Sequence, residues 1–401
     1  MDFYGYMRPN GKAGARNYVL LLPVNRSLNF IASNVERMTR NTHHFEIPAE
    51  TGRTEVDREV IARTLIGLMN NANVGGIVLL AVKSGAGSAY KNMCAERFEE
   101  EARKTGKPFR IVYLTNVGGS YNMLGETLRL TREVLLEVSD FRRENCPLSA
   151  LTLGVKCGTS DATSGIAGNP CVGAAFDQLI RAGGTAFFSE TTEIIGAEAL
   201  VAKRAVNESV AKKILSAARH WEDKAKATGE DIRKINPIPA NIAAGISSLE
   251  EKSLGAIAKS GTSPIQDVLK YAEMPKGSGL YFVDSWMSSL SLPLCLTACG
   301  ATIMLYQMGG GKIAQHPMMP SINPTVVSPF LYLTGNAIAY SRAPDNFDFD
   351  ASPIMTEGAS IPEMGTKLLE HLSAIASGTM TKMETLNYAE QLELYMEGPV
   401  L

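Results

Sequence analysis

Glu55-Val56-Asp57-Arg58-Glu59-Val60-Ile61-Ala62-Arg63-Thr64-Leu65-Ile66-Gly67-Leu68-Met69-Asn70, followed by Gly75-Gly76-Ile77-Val78-Leu79-Leu80-Ala81-Val82, carries two different periodicities. In the first run Val60, Ile61, Leu65, Ile66 and Met69 recur at helical spacing; the second is an unbroken apolar run behind a glycine pair. An unbroken apolar strand suits a sheet covered on both faces, and a helix leading into it makes a parallel crossover. Upstream, residues 18–24 form a Val- and Leu-rich run with Pro23 near its end, and a helix is expected over 29–40. Downstream the alternation continues as a charged helix over 90–105, a strand over 110–114 and a helix over 124–138.

Residues 138–149 make a polar break, and a second alternation follows. It comprises a strand over 150–155, a Gly-, Ser- and Asp-rich turn, a helix over 170–182, a strand over 185–189 and a helix over 208–227. A connector around Pro237 and Pro239 leads to a segment over 250–259, strands over 280–283 and 302–306, and a helical tail from residue 361. The expected fold class is α/β: two Rossmann-like parallel-sheet domains with helices on both faces, residues 1–145 and 146–401, and a helical C-terminal tail.

A chain of 401 residues with 45% hydrophobic side chains exceeds what one core usually spans. Its 39 Lys plus Arg nearly balance its 41 Asp plus Glu, with no block of like charge, which argues against nucleic acid and membrane surfaces as partners. Met1-Asp2-Phe3-Tyr4 lacks the basic and apolar regions of a secretory signal, so a cytoplasmic location is expected. Residues 292–308 are broken by Pro293 and Gly300 and are short for a membrane span. Six cysteines in so long a chain read as reduced thiols, Cys295 and Cys299 as core.

In parallel α/β sheets, ligands collect at the carboxyl ends of the strands. Three polar clusters follow strands: Lys156-Cys157-Gly158-Thr159-Ser160-Asp161, Glu190-Thr191-Thr192-Glu193 with Glu198 beyond it, and Asp284-Ser285. Arg16-Asn17, just before the first strand, is a fourth polar point. The first cluster would hold an anion or a metal, or else is a tight turn with a small buried cysteine and an aspartate capping a helix. On a helix Glu190 and Glu193 would share a face, which suits cation ligation or general base work; the alternative is acids placed at a helix start. His43-His44 has no further ligand at zinc spacing and reads as a solvated loop pair. Met308-Gly309-Gly310-Gly311-Lys312, with His316 beyond, is a glycine loop able to close over a carboxylate, or an ordinary surface turn; it lacks a phosphate-loop spacing.

Gly5-Tyr6-x-Arg8-x-Asn10-Gly11-x-x-Gly14-x-Arg16-Asn17-Tyr18 resembles the opening of the core of altronate and galactarate dehydratases. Lys156-Cys157-Gly158-x-Ser160-Asp161 with Asn169-Pro170 and Gly173 is similar to their central signature. Ser189-Glu190-x-x-Glu193, Gly196-Ala197-Glu198, Asn241, Gly245, Glu250-Glu251-Lys252-Ser253-Leu254-Gly255 and Gly279-Leu280-x-x-x-Asp284 continue in the same order. In layout the chain resembles most the large (beta) subunit of sulfolactate sulfo-lyase, which the stretch Thr51-Gly52-Arg53 and Arg63 to Gly67 also suggests. It departs from the sugar-acid enzymes at Ile47 to Gly52, at Val82-Lys83-Ser84-Gly85-Ala86-Gly87, and at Arg26, where the family usually has cysteine.

The resemblance implies a metal-dependent lyase that performs β-elimination on a 2-hydroxy acid of the sulfolactate kind, giving a 2-oxo acid. The cofactor implied is a divalent metal, iron first, with manganese or magnesium as alternatives. The implied catalytic residues are Lys156, Cys157, Ser160, Asp161 and Glu193, the substrate-binding residues Arg16, Asn17, Asp284, Lys312 and His316, and the metal ligands Cys157, Asp161, Glu190 and Glu193. An oligomer and a separate small subunit of about 100 residues, the size of a small domain, are implied as well. The alternatives are a sugar-acid dehydratase with a longer substrate and a non-catalytic subunit of a lyase complex.

Overall fold

The computed structural model describes residues 1–83, 90–310, 323–385 and 393–400. Their strands form three sheets. The N-terminal part holds β1 (Asp2–Met7), β2 (Ala13–Gly14), β3 (Tyr18–Pro23), β4 (Thr42–His44), β5 (Val74–Ala81) and β6 (Phe109–Tyr113). After β7 (Glu144–Pro147) come β8 (Thr152–Gly158), β9 (Thr185–Phe188), β10 (Ile265–Leu269), β11 (Gly279–Val283), β12 (Ile303–Met308), β13 (Phe330–Thr334) and β14 (Phe349–Asp350). The sheet orders are β4-β3-β5-β6 and β10-β11-β9-β8-β12-β13-β14, both parallel, and β2-β1-β7, antiparallel.

Alternation along the strands sorts the interior into layers. On the seven-stranded sheet, Leu153, Val155, Ala186, Phe188, Ile303 and Leu305 share a core with the helices Asn169–Arg181 and Ile361–Ala376. Phe187, Met304, Tyr306 and Met308, on the opposite face, share a core with Leu20, Leu22, Ile77 and Leu79 of the four-stranded sheet. The same core takes in the helices Glu55–Asn70 and Ser291–Cys299. Val19, Leu21, Val78 and Leu80 face outward onto the helices Asn29–Met38 and Ser120–Ser139. The helix Glu55–Asn70 begins at Thr54, whose hydroxyl caps Asp57 N, and is buried along most of its length. The two parallel sheets therefore share a central core.

The polar stretch read as a break contains β7, which pairs with β1, and Cys146 and Leu148 are buried in the core of the seven-stranded sheet beside Phe3. The residues 292–308 divide into the helix Ser291–Cys299 and β12, and among the described residues no helix is long and apolar enough to cross a membrane. The tail holds the helix Ile361–Ala376 and a short 3-10 turn at Met383–Thr385; residues 393–400 are not helical.

The crossing of the two central helices depends on Gly67, where a β-carbon would stand 2.2 Å from the carbonyl oxygen of Ala298. Gly67→Ala forces one helix off the other and should cost about 1–3 kcal/mol, the usual penalty for overpacking a tight core. Equilibrium denaturation checks this, and an unchanged midpoint would show that the helices separate freely.

Candidate functional site

The site grows from the carboxyl ends of β8 and β9, two adjacent strands near the middle of the seven-stranded sheet. Successive residues of β8 point to opposite faces, so Lys156 and Cys157 leave the sheet in different directions. Lys156 lies on the side of Tyr306, with its ammonium 4.8 Å from that ring's centre. It curls back to donate to the carbonyl of Cys157 at 2.7 Å and to Glu190 Oε1 at 3.2 Å. Cys157 lies on the other side, under the turn that follows the helix Leu249–Ile257.

That turn, Ala258–Ser260, presents Lys259. Its approach depends on Gly173, where a β-carbon would stand 2.2 Å from the carbonyl oxygen of Ala258. Asp177, one helical turn further on, accepts from the backbone N–H groups of Thr262 and Ser263 and fixes the chain beyond Lys259. Glu190 follows β9 in the left-handed region, at φ 74°, a conformation that costs a non-glycine residue about 1–3 kcal/mol and persists only where its surroundings enforce it. Here Thr191 N donates to Ser285 O at 2.9 Å, and Ser285 N to Thr191 Oγ1 at 3.1 Å. Glu193 lies in the 3-10 turn Thr191–Glu193, so the two carboxylates converge through a strained loop and not along one helical face.

Lys259 is the centre of the cluster. Its ammonium contacts Glu190 Oε2, Cys157 Sγ at 3.2 Å and Glu193 Oε2 at 3.4 Å. Cys157 N donates to Glu190 Oε2 at 3.0 Å, and the thiol to Glu193 Oε2 at 3.1 Å. Lys252 reaches Glu193 Oε1 at 3.4 Å and donates to Asn236 Oδ1 at 2.6 Å. Glu190 and Lys259 are 0% and 1% exposed, so these charges interact without the screening of bulk water.

Burial alone would push Glu193 up, but Lys259, Lys252 and Lys156 hold it down to about 2. Burial would likewise deprotonate Lys259, and the adjacent carboxylates of Glu190 and Glu193 reverse this and hold it charged. Cys157 moves the other way, because burial and then the two carboxylates raise its thiol well above the usual range, despite Lys259 and Lys156. Three ammoniums thus face two carboxylates and a neutral thiol.

One ligand atom from each of Cys157, Glu190 and Glu193 falls within 4.8 Å of the others, and this is the group of metal-ligand type found among the described residues. The donor types suit a divalent ion. The space between them is filled: Lys259 meets all three residues, and two more ammoniums lie beside them. With Lys259 in place these residues do not fit a resident divalent metal.

The other expected site residues are distributed differently. Asp161 stands outside the group: Oδ1 accepts from Thr163 Oγ1 and Ser164 N, and Oδ2 from Gly310 N and Asn336 Nδ2, at 2.6–3.1 Å. It braces the turn after β8 against the end of β12, apart from the group formed by Cys157, Glu190 and Glu193. Ser160 lies on that turn, its carbonyl held by Asn241 Nδ2 at 3.0 Å. Glu198 Oε2 accepts from Gly196 N at the start of a short helix. Arg16 is spent on the fold, paired with both oxygens of Glu384 at 2.7 Å and donating to the carbonyls of Ile375 and Thr379. Asn17 joins Arg8 to Val138 O, and Asp284 accepts from Thr191 Oγ1 and Trp221 Nε1. Arg16, Asn17 and Asp284 thus each make hydrogen bonds that hold the fold together. Lys312, His316 and Ser84 to Gly87 lie outside the described residues.

His43 and His44 are on β4, not in a solvated loop, and both ring Nδ1 atoms meet Glu36. Against the raising effect of burial, the two imidazoles hold Glu36 down to about 2. An open hollow of 780 Å³ lies at the end of β3, lined by Arg26, Phe30, Arg37 and Glu46 among others, with no member of the lysine cluster in its wall. Lys252, read only as part of a matching motif, and Lys259, in the turn after its helix, were given no role by the sequence reading; their spacing of about two helical turns was the available signal.

A buried, charge-dense cluster at the carboxyl end of a parallel sheet defines an α/β protein of the enzyme class, and sequence comparison gives the family. Residues 5–139 match the D-galactarate dehydratase/altronate hydrolase second domain, and residues 148–399 the D-galactarate/altronate dehydratase C-terminal domain. The chain belongs to the D-galactarate/altronate dehydratase family, whose relatives are lyases and dehydratases. It is 32% identical over 394 residues to the (2R)-sulfolactate sulfo-lyase subunit beta of Chromohalobacter salexigens, covering 97% of this chain and 96% of that protein. It is 30% identical to the galactarate dehydratase (L-threo-forming) of Escherichia coli, covering 99% of this chain and 77% of that protein. The altronate dehydratase of Bacillus subtilis is 29% identical, covering 100% and 78%.

If Lys259 is the resident cation, cobalt(II) added to the wild-type chain gives no thiolate-to-metal charge-transfer band, whereas Lys259→Met, which empties the space between the donors, gains one. A band of equal strength in the wild type would show that a metal displaces the lysine.

Proposed function

We propose that the chain is the catalytic subunit of a lyase that removes sulfite from a 3-sulfo-2-hydroxy acid by β-elimination, leaving a 2-oxo acid. The observation that carries this reading is the charge imbalance of the buried cluster, in which Lys156, Lys252 and Lys259 face only Glu190 and Glu193. An uncompensated buried ammonium is costly, and an anionic substrate at the strand ends supplies the missing charge. The family membership and the 32% identity to a subunit of (2R)-sulfolactate sulfo-lyase support the substrate class. The relative's name as a beta subunit supports a partner subunit.

The reaction breaks the C2–H and C3–S bonds, forms a C2–C3 double bond and releases sulfite; the resulting enol becomes the 2-oxo acid. The C2 proton is weakly acidic because its loss puts charge onto the carboxylate as an enediolate, and preorganised cations lower that barrier. Lys156 and Lys259 are assigned this role. Their engagement by the substrate draws them from Glu193 and restores its basicity, and Glu193, in contact with the Cys157 thiol, is assigned the proton. A divalent ion, whether iron, manganese or magnesium, would reach these donors only in exchange for Lys259, so charge stabilisation is assigned to the lysines. Sulfite departs without an acid, whereas the water lost by a dehydratase must be protonated.

The test is to purify the chain with any small protein encoded beside it and to supply sulfolactate, galactarate and altronate, following sulfite and 2-oxo acid release. Sulfolactate is expected to be the substrate. Lys259→Met and Glu193→Gln are expected to lower kcat/KM roughly 100- to 1000-fold, as loss of a positioned charged group does. Turnover of the sugar acids alone would replace this reading with dehydration; Glu193→Gln at full activity would remove the cluster from the chemistry.

A further inference from the structure

Close to the lysine cluster the fold leaves two polar side chains unanswered. Gln307, on β12, is in register with Cys157 on β8, and alternation puts both side chains on the same face of the sheet. Gln307 is 0% exposed, yet among the described residues neither Nε2 nor Oε1 has a hydrogen-bond partner. The amide is pressed onto Gly168, where a β-carbon would stand 2.3 Å from Nε2. Gly168 closes a π-helical turn, Ser164–Gly168, a local geometry that often accompanies functional sites. The next residue, Asn169, is 1% exposed; its Nδ2 donates to Gly255 O at 2.9 Å and its Oδ1 has no partner among the described residues.

Buried amides are almost always paired, because a stranded donor or acceptor forfeits its hydration without return. An apolar side chain of similar volume would pack beside Gly168 without that penalty. An amide kept with both ends free, at the carboxyl end of a strand and beside a charged cluster, suits a ligand that offers an acceptor and a donor together. A 2-hydroxy acid does so: its carboxylate accepts from Nε2 and its hydroxyl donates to Oε1.

We propose that Gln307 is a substrate-binding residue that recognises the 2-hydroxyl and carboxylate of the hydroxy acid, a reading that rests on the lyase function proposed above. It makes Gln307 the determinant of hydroxyl recognition, separate from the lysines that carry charge.

The test uses the chain with its small subunit and two probes: 3-sulfolactate as substrate and 3-sulfopropanoate, which lacks the hydroxyl, as competitive inhibitor. Gln307→Leu is expected to raise KM for sulfolactate roughly 10- to 100-fold, the loss typical of a buried polar group left without its partner. The inhibition constant of 3-sulfopropanoate is expected to rise much less, since the hydroxyl contact is absent from it. Gln307→Met, unbranched like glutamine, repeats the test should the leucine variant not fold. Equal losses for both probes, or none for either, would overturn the proposal and mark Gln307 as a packing group or a water ligand. Failure of the wild type to turn over or bind sulfolactate would instead overturn the lyase reading, and this assignment with it.

Discussion

The ammonium of Lys259 joins the thiol of Cys157 and the carboxylates of Glu190 and Glu193 inside a protein layer that excludes water. Those groups come from three parts of the chain: the end of β8, the loop after β9, and the turn after a helix some seventy residues later. Without the lysine, the two carboxylates would be neighbours of like charge in a poorly solvated space, where one would take up a proton. Removing one member of such a buried network commonly costs about 3–5 kcal/mol, because its partners remain buried and unpaired. The left-handed backbone of Glu190 and the close approach at Gly173 are conformational costs borne to keep this arrangement.

Supporting residues extend outward from that centre. Asp177 secures the chain beyond Lys259, Asp161 ties the turn after β8 to the end of β12, and Asp284 secures the loop that carries Glu190. Asp161 and Asp284 have the appearance of site residues in the sequence, and all three have hydrogen-bonding capacity met by backbone or neighbouring side chains. Polar residues after strands therefore divide into those gathered around Lys259 and those that hold the loops beside it.

This division marks the limit of what was legible from sequence. The helix Glu55–Asn70 and the strands β3, β5, β8 and β9 are announced by periodicity, because they bury continuous apolar surface. β10 and β14 are edge strands carrying Gln266, Asp267 and Asp350, so they lack that signal. Cys157, Glu190 and Glu193 could be found because they follow strands. Lys252 and Lys259 offered only a weak signal, since lysines at helical spacing ordinarily face solvent, and the packing of Gly173 against Ala258 brings this helix and the turn after it over the sheet. Arg16 looked like an anion ligand because its partner, Glu384, lies near the far end of the chain.

The central helix Glu55–Asn70 has a mechanical consequence. Val60, Ile61, Leu65, Leu68 and Met69 belong to a core that also contains side chains of both parallel sheets. Parting the sheets like the halves of a clam would expose them, at about 1.5–3 kcal/mol for each large side chain. Thermal fluctuation does not meet that cost, so the two sheets behave as one block without a hinge between them. Substitutions in a strand-end loop such as the one that carries Glu190 can then reshape the surroundings of Lys259 while leaving the block intact.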